Sequence, residues 1–258
     1  MSRTDRVTGN VLEAAVDVID WRTAVDRVVA WSARGESRCA VAANVHVVVS
    51  AWRDPVYRGV INAADLVLPD GAPVAWLLRC QGHADQTRIS GPDLMWMLLE
   101  RCAREGVAVY LFGSTEATLR ALAARVRQAF PALAIAGAES PPFRSLTADE
   151  DRGVVERINA SGAGVLFVGL GCPKQEHWII AHRGRINAVM LGVGAAFDFH
   201  AGSITRAPRW MRDHGLEWLH RLLSEPRRLW KRYLVTNTLF LLGAAGQLLR
   251  ARKARSSA

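Results

Sequence analysis

Short apolar runs with almost nothing polar inside them recur along this chain and dictate its architecture. CAVAA ends at Asn44, DLVL leads into Pro69 and Asp70, and VAVYLF, LAIAG, VLFVGLG and INAVMLGVG follow, the first and the last two of these running into glycine. A strand wet on one face would alternate apolar and polar residues. These runs do not alternate, so both faces are expected to be buried, as in a parallel sheet sandwiched between helices. The intervening stretches, roughly 10 to 15 residues each, have helical spacing and recognisable ends. Asp20 is placed to cap a helix through Ala33, and helices are expected over 45–52, 55–63, 71–81 and 91–104, the last with Ser90 as N-cap and Pro92 in the first turn. Thr115 opens a helix to Phe130, and Thr147 with Glu150 forms a capping box for a helix to Asn159.

Charge divides the chain. The 258 residues carry a net charge of +9, yet residues 1–205 hold 21 basic and 21 acidic side chains. The whole excess lies in residues 206–258, where 12 basic residues meet only Asp213, Glu217 and Glu225. Trp210, Trp218 and Trp230 lie there too, followed by the apolar run YLVTNTLFLLGAAGQLL over 233–249, flanked by RRLWKR and RARKAR. Seventeen residues make a helix of about 25 Å, short for a membrane span, and the run includes Thr236, Asn237, Thr238 and Gln247. The expectation is an α/β domain over 1–205, with a Rossmann-like, mostly parallel sheet covered by helices on both faces. Residues 206–258 are expected to form a basic amphipathic helical appendage lying on an anionic membrane surface. Packing of this helix on the core or on a second copy of the chain is the alternative. Nucleic acid is not the expected partner, because the basic residues interleave with an apolar face that it would leave uncovered.

Cys39, Cys80, Cys102 and Cys172 are scattered, without a C-x-x-C pair or a His-Cys cluster. Neither a zinc site nor a disulfide framework is expected, and a reduced, cytoplasmic compartment fits. The first 20 residues carry acids inside their apolar stretch and lack the pattern of a secretory leader.

Ligands of open α/β sheets bind at the carboxyl ends of the strands. The residues expected there are Asn44, Asp70 with Gly71, Gly113 with Ser114 and Thr115, and Gly169 with Gly171, Lys174 and Gln175. Gly192, Gly194 and Asp198 complete the set. Glycine turns of this kind serve either ordinary chain reversal or close approach to a phosphate, and several together beside Lys174 and Gln175 favour a nucleotide or diphosphate. A nicotinamide fingerprint is not met, since neither GLGCPK nor GVGAAF has the required spacing. The DED at 149–151 falls inside the capping box and reads as a helix-start feature, not a metal motif. Asp70 has a local reading as a cap for the helix that follows it.

Longer motifs add a family. AAN (42–44), LPDGAPV (68–74), RISGPDL (88–94), LFGS (111–114), VGLGCPKQEHW (168–178), GVGAAFDFHAG (192–202) and GLEWLHRLLSEPRRLWKRYL (215–234) together resemble the WecG/TagA/CpsF glycosyltransferases over about residues 15 to 240. The resemblance implies an inverting transfer of a sugar, N-acetylmannosamine, its uronic acid or glucose, from a UDP-sugar to a polyprenyl-diphosphate-linked sugar. The expected setting is the cytoplasmic membrane face of a bacterium, without a metal or other cofactor. It implies that Asp70 is the base, that Asn44, Gln175 and Asp198 position donor sugar and nucleoside, and that Lys174 meets phosphate along with Arg88, Arg206, Arg221, Arg228 and Arg232. Gly113 and Gly171 would offer backbone amides. One departure stands out: the family's T-x-N reads A-x-N here, with Ala42 in the threonine position. A non-catalytic nucleotide-sugar or lipid-diphosphate binding protein on the same fold is the competing reading.

Overall fold

The computed structural model describes residues 6–256; residues 1–5, which begin the stretch read above as no leader, and 257–258, at the end of the basic tail, lie outside it. Six strands form one parallel sheet: β3 (Arg38–Ala43), β4 (Leu66–Pro69), β5 (Val109–Gly113), β6 (Ile135–Glu139), β7 (Val165–Gly169) and β8 (Val189–Gly192), in the order β4-β3-β8-β7-β5-β6. Successive residues of a strand point to opposite faces, so each strand feeds two cores. Val41, Val67, Phe112, Val168 and Met190 enter one core; Ala40, Leu68, Leu111, Phe167 and Leu191 enter the other. That is why the runs look continuously apolar.

On the first face lie α2 (Val45–Arg53), α3 (Pro55–Ala63), α4 (Ala72–Cys80), α7 (Ala148–Ala160) and α8 (Lys174–Ala181). The opposite face holds α1 (Trp21–Ala33), α5 (Gly91–Glu105), α6 (Glu116–Ala129) and α9 (Ala196–Ala201). The expected ends are in place. Asp20 accepts from Thr23 N–H at 2.9 Å, Ser90 and Thr115 cap α5 and α6, and the Thr147–Glu150 capping box is complete in both directions.

A two-stranded hairpin, β1 (Thr8–Val11) and β2 (Ala14–Asp17), precedes the sheet and was not anticipated. Its turn residues Leu12 and Glu13 have φ of 49° and 70°, a conformation that Asn-Gly would have advertised and Leu-Glu conceals. Asp17, 1 % exposed, accepts from Val67 N–H at 2.6 Å and from Arg6, tying the hairpin to β4, an edge strand of the sheet.

After α9 the chain continues as α10 (Arg209–Asp213), α11 (Glu217–Ser224) and α12 (Pro226–Ser256). Helix α12 lays Leu229, Thr236, Phe240 and Ala244 against the body, all buried, and contacts α2. Gln247 on the same side accepts from Leu12 N–H at 3.0 Å and donates to Asn10 O at 2.6 Å, clasping the hairpin. The opposite side carries Trp230, Leu234, Val235, Leu241, Leu242 and Leu249, each about half exposed or more. No described helix is long and apolar enough to cross a membrane.

Candidate active site

β3 leads outward to β4 at one edge and β5 leads outward to β6 at the other, so the carboxyl ends of β3, β8, β7 and β5 open on a crevice between diverging connections. Asn44 stands at the mouth of β3 and Asp70 at the mouth of β4. Pro69 closes the strand, and Gly71, with φ of 92°, turns the chain into α4. That helix has no side-chain cap, so Asp70 is not spent on it. The Asp70 N–H is held by Leu68 O at 2.9 Å and by Ala43 O at 3.2 Å, which fixes the carboxylate's origin.

The Asp70 side chain is half-buried. Asn44 accepts the Val47 N–H through Oδ1 at 3.2 Å as the α2 cap, leaving its NH₂ to hydrogen-bond Asp70. Burial raises the Asp70 pKa from the ordinary 3.8 to about 6; the nearby Glu217 pushes the same way, while Arg88, Asn44 and Arg206 oppose. A carboxyl of this kind is ionised at neutral pH yet holds a proton more firmly than a surface aspartate does, which is what a general base requires.

Beside Asp70 lies an ion network drawn from separate parts of the chain. Arg88 Nη1 donates to Glu217 Oε2 at 3.2 Å, and Arg206 Nε donates to Glu217 Oε1 at 3.1 Å. Arg206 also grips Asp93, which Ser90 and Arg212 bond as well; these cations and hydrogen bonds hold the Asp93 pKa down at about 2. Arg88 and Arg206 are therefore already paired with carboxylates. Glu217 was absent from the residues singled out in the sequence, although it sits inside GLEWLHRL. Being one of three acids in a basic tail was the available signal.

Arg221 and Arg228 lie by α9, and Arg232 by the head of α2. Arg221 stands over the Phe199 ring at 5.3 Å, and Arg228 and Arg221 both act on Asp198. Asp198 is half-buried and bonded by Thr118, and burial raises its pKa. Arg232 lies near His46 and Cys172. The Nε atoms of Arg221 and Arg232 are buried with no hydrogen-bond partner among the described residues. Arg228 pairs with Glu225 at 2.6 Å. These guanidinium groups suit bidentate contact with a diphosphate.

The glycine turns differ in use. At Gly113, φ is 121° and a Cβ would lie 2.6 Å from the backbone of Gly169, so β5 and β7 approach too closely there for any side chain. Gly171, with φ of 79°, has open space beside it. Lys174 is exposed at the start of α8. Gln175 is 5 % exposed, and its amide is engaged inside the protein, accepting from Gly194 N–H at 3.1 Å and donating to Glu176 at 2.7 Å. It braces two glycine turns against each other. Ala42 is half-buried on β3, and a Cβ on Gly91 would come 3.7 Å from its methyl.

The DED stretch is fully occupied. Asp149 pairs with Arg152, Glu150 with Arg144, and Asp151 takes His182 Nε2 at 2.8 Å and Arg185 at 2.7 Å. Among the described residues no three His, Cys, Asp or Glu side chains converge as a metal-binding group.

A parallel α/β sheet with a half-buried carboxylate at one strand mouth puts that group where folds of this kind receive their ligands. The sequence matches the model of the glycosyl transferase WecG/TagA/CpsF family over residues 9–254, and the chain belongs to that family. It is 34% identical, over 195 residues, to an N-acetylglucosaminyldiphosphoundecaprenol N-acetyl-β-D-mannosaminyltransferase from Bacillus spizizenii, covering 75% of this chain and 74% of that protein.

Proposed function

We propose that this protein transfers an N-acetylmannosaminyl-type sugar from a UDP-sugar to a sugar carried on a polyprenyl diphosphate, with inversion and with Asp70 as the general base. One observation carries the reading: a half-buried carboxylate, free of any capping duty, stands at a strand mouth with its proton affinity raised. In the reaction an acceptor hydroxyl attacks the anomeric carbon, the bond to the diphosphate oxygen breaks, and the hydroxyl proton passes to Asp70. Asn44 orients the carboxylate. Arg221, Arg228 and Arg232 meet the charge that develops on the departing UDP, so its neutralisation comes from guanidinium groups, with backbone amides at Gly171 adding to it. Asp198, with Thr118 behind it, faces the donor.

The relative's name supplies the acceptor class, a diphosphoundecaprenol-linked N-acetylglucosamine, and the sugar transferred. The exposed apolar side of α12, bordered by basic residues, supports peripheral attachment to an anionic membrane where such an acceptor resides. The test is transfer by the full chain to a short-prenyl diphosphate N-acetylglucosamine across a panel of UDP-sugars, including N-acetylmannosamine, its uronic acid and glucose. Turnover with the first, lost in Asp70→Asn with donor binding kept, supports the reading. Full turnover in that variant removes Asp70 as the base.

A further inference from the structure

A base flanked by two arginines faces a difficulty. Guanidinium groups that bond a carboxylate directly stabilise its charge and weaken it as a proton acceptor. Asp70 has Arg88 and Arg206 for neighbours, yet neither donates a hydrogen bond to it among the described interactions; both turn to Glu217 instead. The division is even. Each oxygen of Glu217 takes one arginine, at 3.2 and 3.1 Å, and the remaining donors of Arg206 go to Asp93 and Ser90.

The placement of Glu217 is fixed by close packing at the turn before it. Gly215 has φ of 72°, and a Cβ there would come 2.7 Å from the Cβ of Ala72, so the turn into α11 is seated on the first residue of α4, two places from Asp70. The groups acting on Asp70 thus come from four places: Asn44 at the head of α2, Arg88 before α5, Arg206 after α9 and Glu217 at the head of α11. Asp93 and Arg212 stand one step further out.

We propose that Glu217 is a positioning residue for the base: by taking one arginine on each oxygen it keeps both guanidinium groups off Asp70. Its charge acts in the same sense, as the largest contribution after burial to the raised proton affinity of Asp70. The inference rests on Asp70 being the base. It adds that a body lacking a docked α11 would carry a weaker one.

The experiment is the pH dependence of kcat/KM for the full chain with a short-prenyl acceptor, in wild type, Glu217→Gln, Glu217→Asp, Arg88→Gln and Asp70→Asn. In Glu217→Gln the acidic limb moves about one pH unit toward acid and the plateau falls several-fold, because the freed arginines turn to Asp70. Glu217→Asp retains the wild-type limb. Arg88→Gln moves it the opposite way, toward alkali, which keeps the test decisive if Glu217→Gln folds poorly. An activity loss in Glu217→Gln that is equal at every pH, or an unmoved limb in Arg88→Gln, overturns the proposal and leaves the base assignment standing. Undiminished turnover in Asp70→Asn overturns both.

Discussion

Arg206 grips Asp93 through two bonds, Nη1 to Oδ1 at 2.5 Å and Nη2 to Oδ2 at 2.7 Å, across 113 residues of chain. The first residue of the basic C-terminal segment is thereby bolted to the first turn of α5, and Arg212 reaches the same carboxylate at 3.5 Å. Replacing Asp93 with Ala should cost about 1 to 3 kcal/mol, the range for a charge-assisted pair that keeps some solvent contact. The loss should be local. Hydrogen exchange should speed up in α10 and α11 while the sheet stays protected, and equal protection in wild type and variant would show that the pair does not hold the segment down.

Asp70 links activity and stability with opposite signs. Its folded pKa, about 6, lies above the ordinary 3.8, so the fold favours the protonated carboxyl. Below pH 3.8 both folded and unfolded chains carry the proton, and no penalty arises. As pH rises from 3.8 to 6 the unfolded chain gives up its proton first, and the native state loses about 1 to 3 kcal/mol by linkage. Asp70→Asn should therefore melt a few degrees higher above pH 6 and be no more stable near pH 4, while turnover falls by roughly 10² to 10⁴. A melting difference that does not change with pH would contradict the burial argument.

Gly113→Ala should be severely destabilising, by about 3 kcal/mol or more, since φ of 121° disfavours any side chain and the new methyl meets the Gly169 backbone at 2.6 Å. Gly171→Ala, with open space around it, should cost mainly the strain of its own φ. Denaturant midpoints for the two variants decide the matter; equal midpoints would mean that β5 and β7 can spread apart without loss.

On α12, Leu241→Glu and Leu242→Glu place charges on side chains that are 64% and 65% exposed, so the fold should be unaffected. Pelleting with anionic phospholipid vesicles should weaken roughly tenfold per leucine, and wild-type pelleting should fall as salt screens the basic border. Turnover with a soluble short-prenyl acceptor should not change. Vesicle binding indifferent to both substitutions would place the contact elsewhere.

The sheet was legible because its strands are apolar on both faces and its helices carry their caps in sequence: Asp20, Ser90, Thr115 and the Thr147–Glu150 pair all act as read. The hairpin was not legible, because Leu12 and Glu13 adopt positive φ without the residues that announce it. Asn44 and Asp70 stand at the ends of two adjacent strands, β3 and β4, where the apolar runs placed them. What position along the chain could not reveal is which side chain faces which. Gln175 looked like a ligand residue, and its amide braces Gly194 and Glu176. Arg88 and Arg206 looked free to meet phosphate, and they are shared out between Glu217 and Asp93, pairings that span 129 and 113 residues. The compositional break at residue 205 marks a change of charge, while Phe240, Ala244 and Gln247 carry packing and hydrogen bonding straight across it.

The clasp between Gln247 and the hairpin limits how α12 can move. A helix bonded to Asn10 and Leu12 near one end and wedged by Phe240 and Ala244 cannot roll about its own axis without breaking those contacts. Whatever surface the outer stripe rests on therefore meets the molecule in one fixed attitude, and the height and tilt of the crevice above that surface are set by the seam between the last helix and the first hairpin.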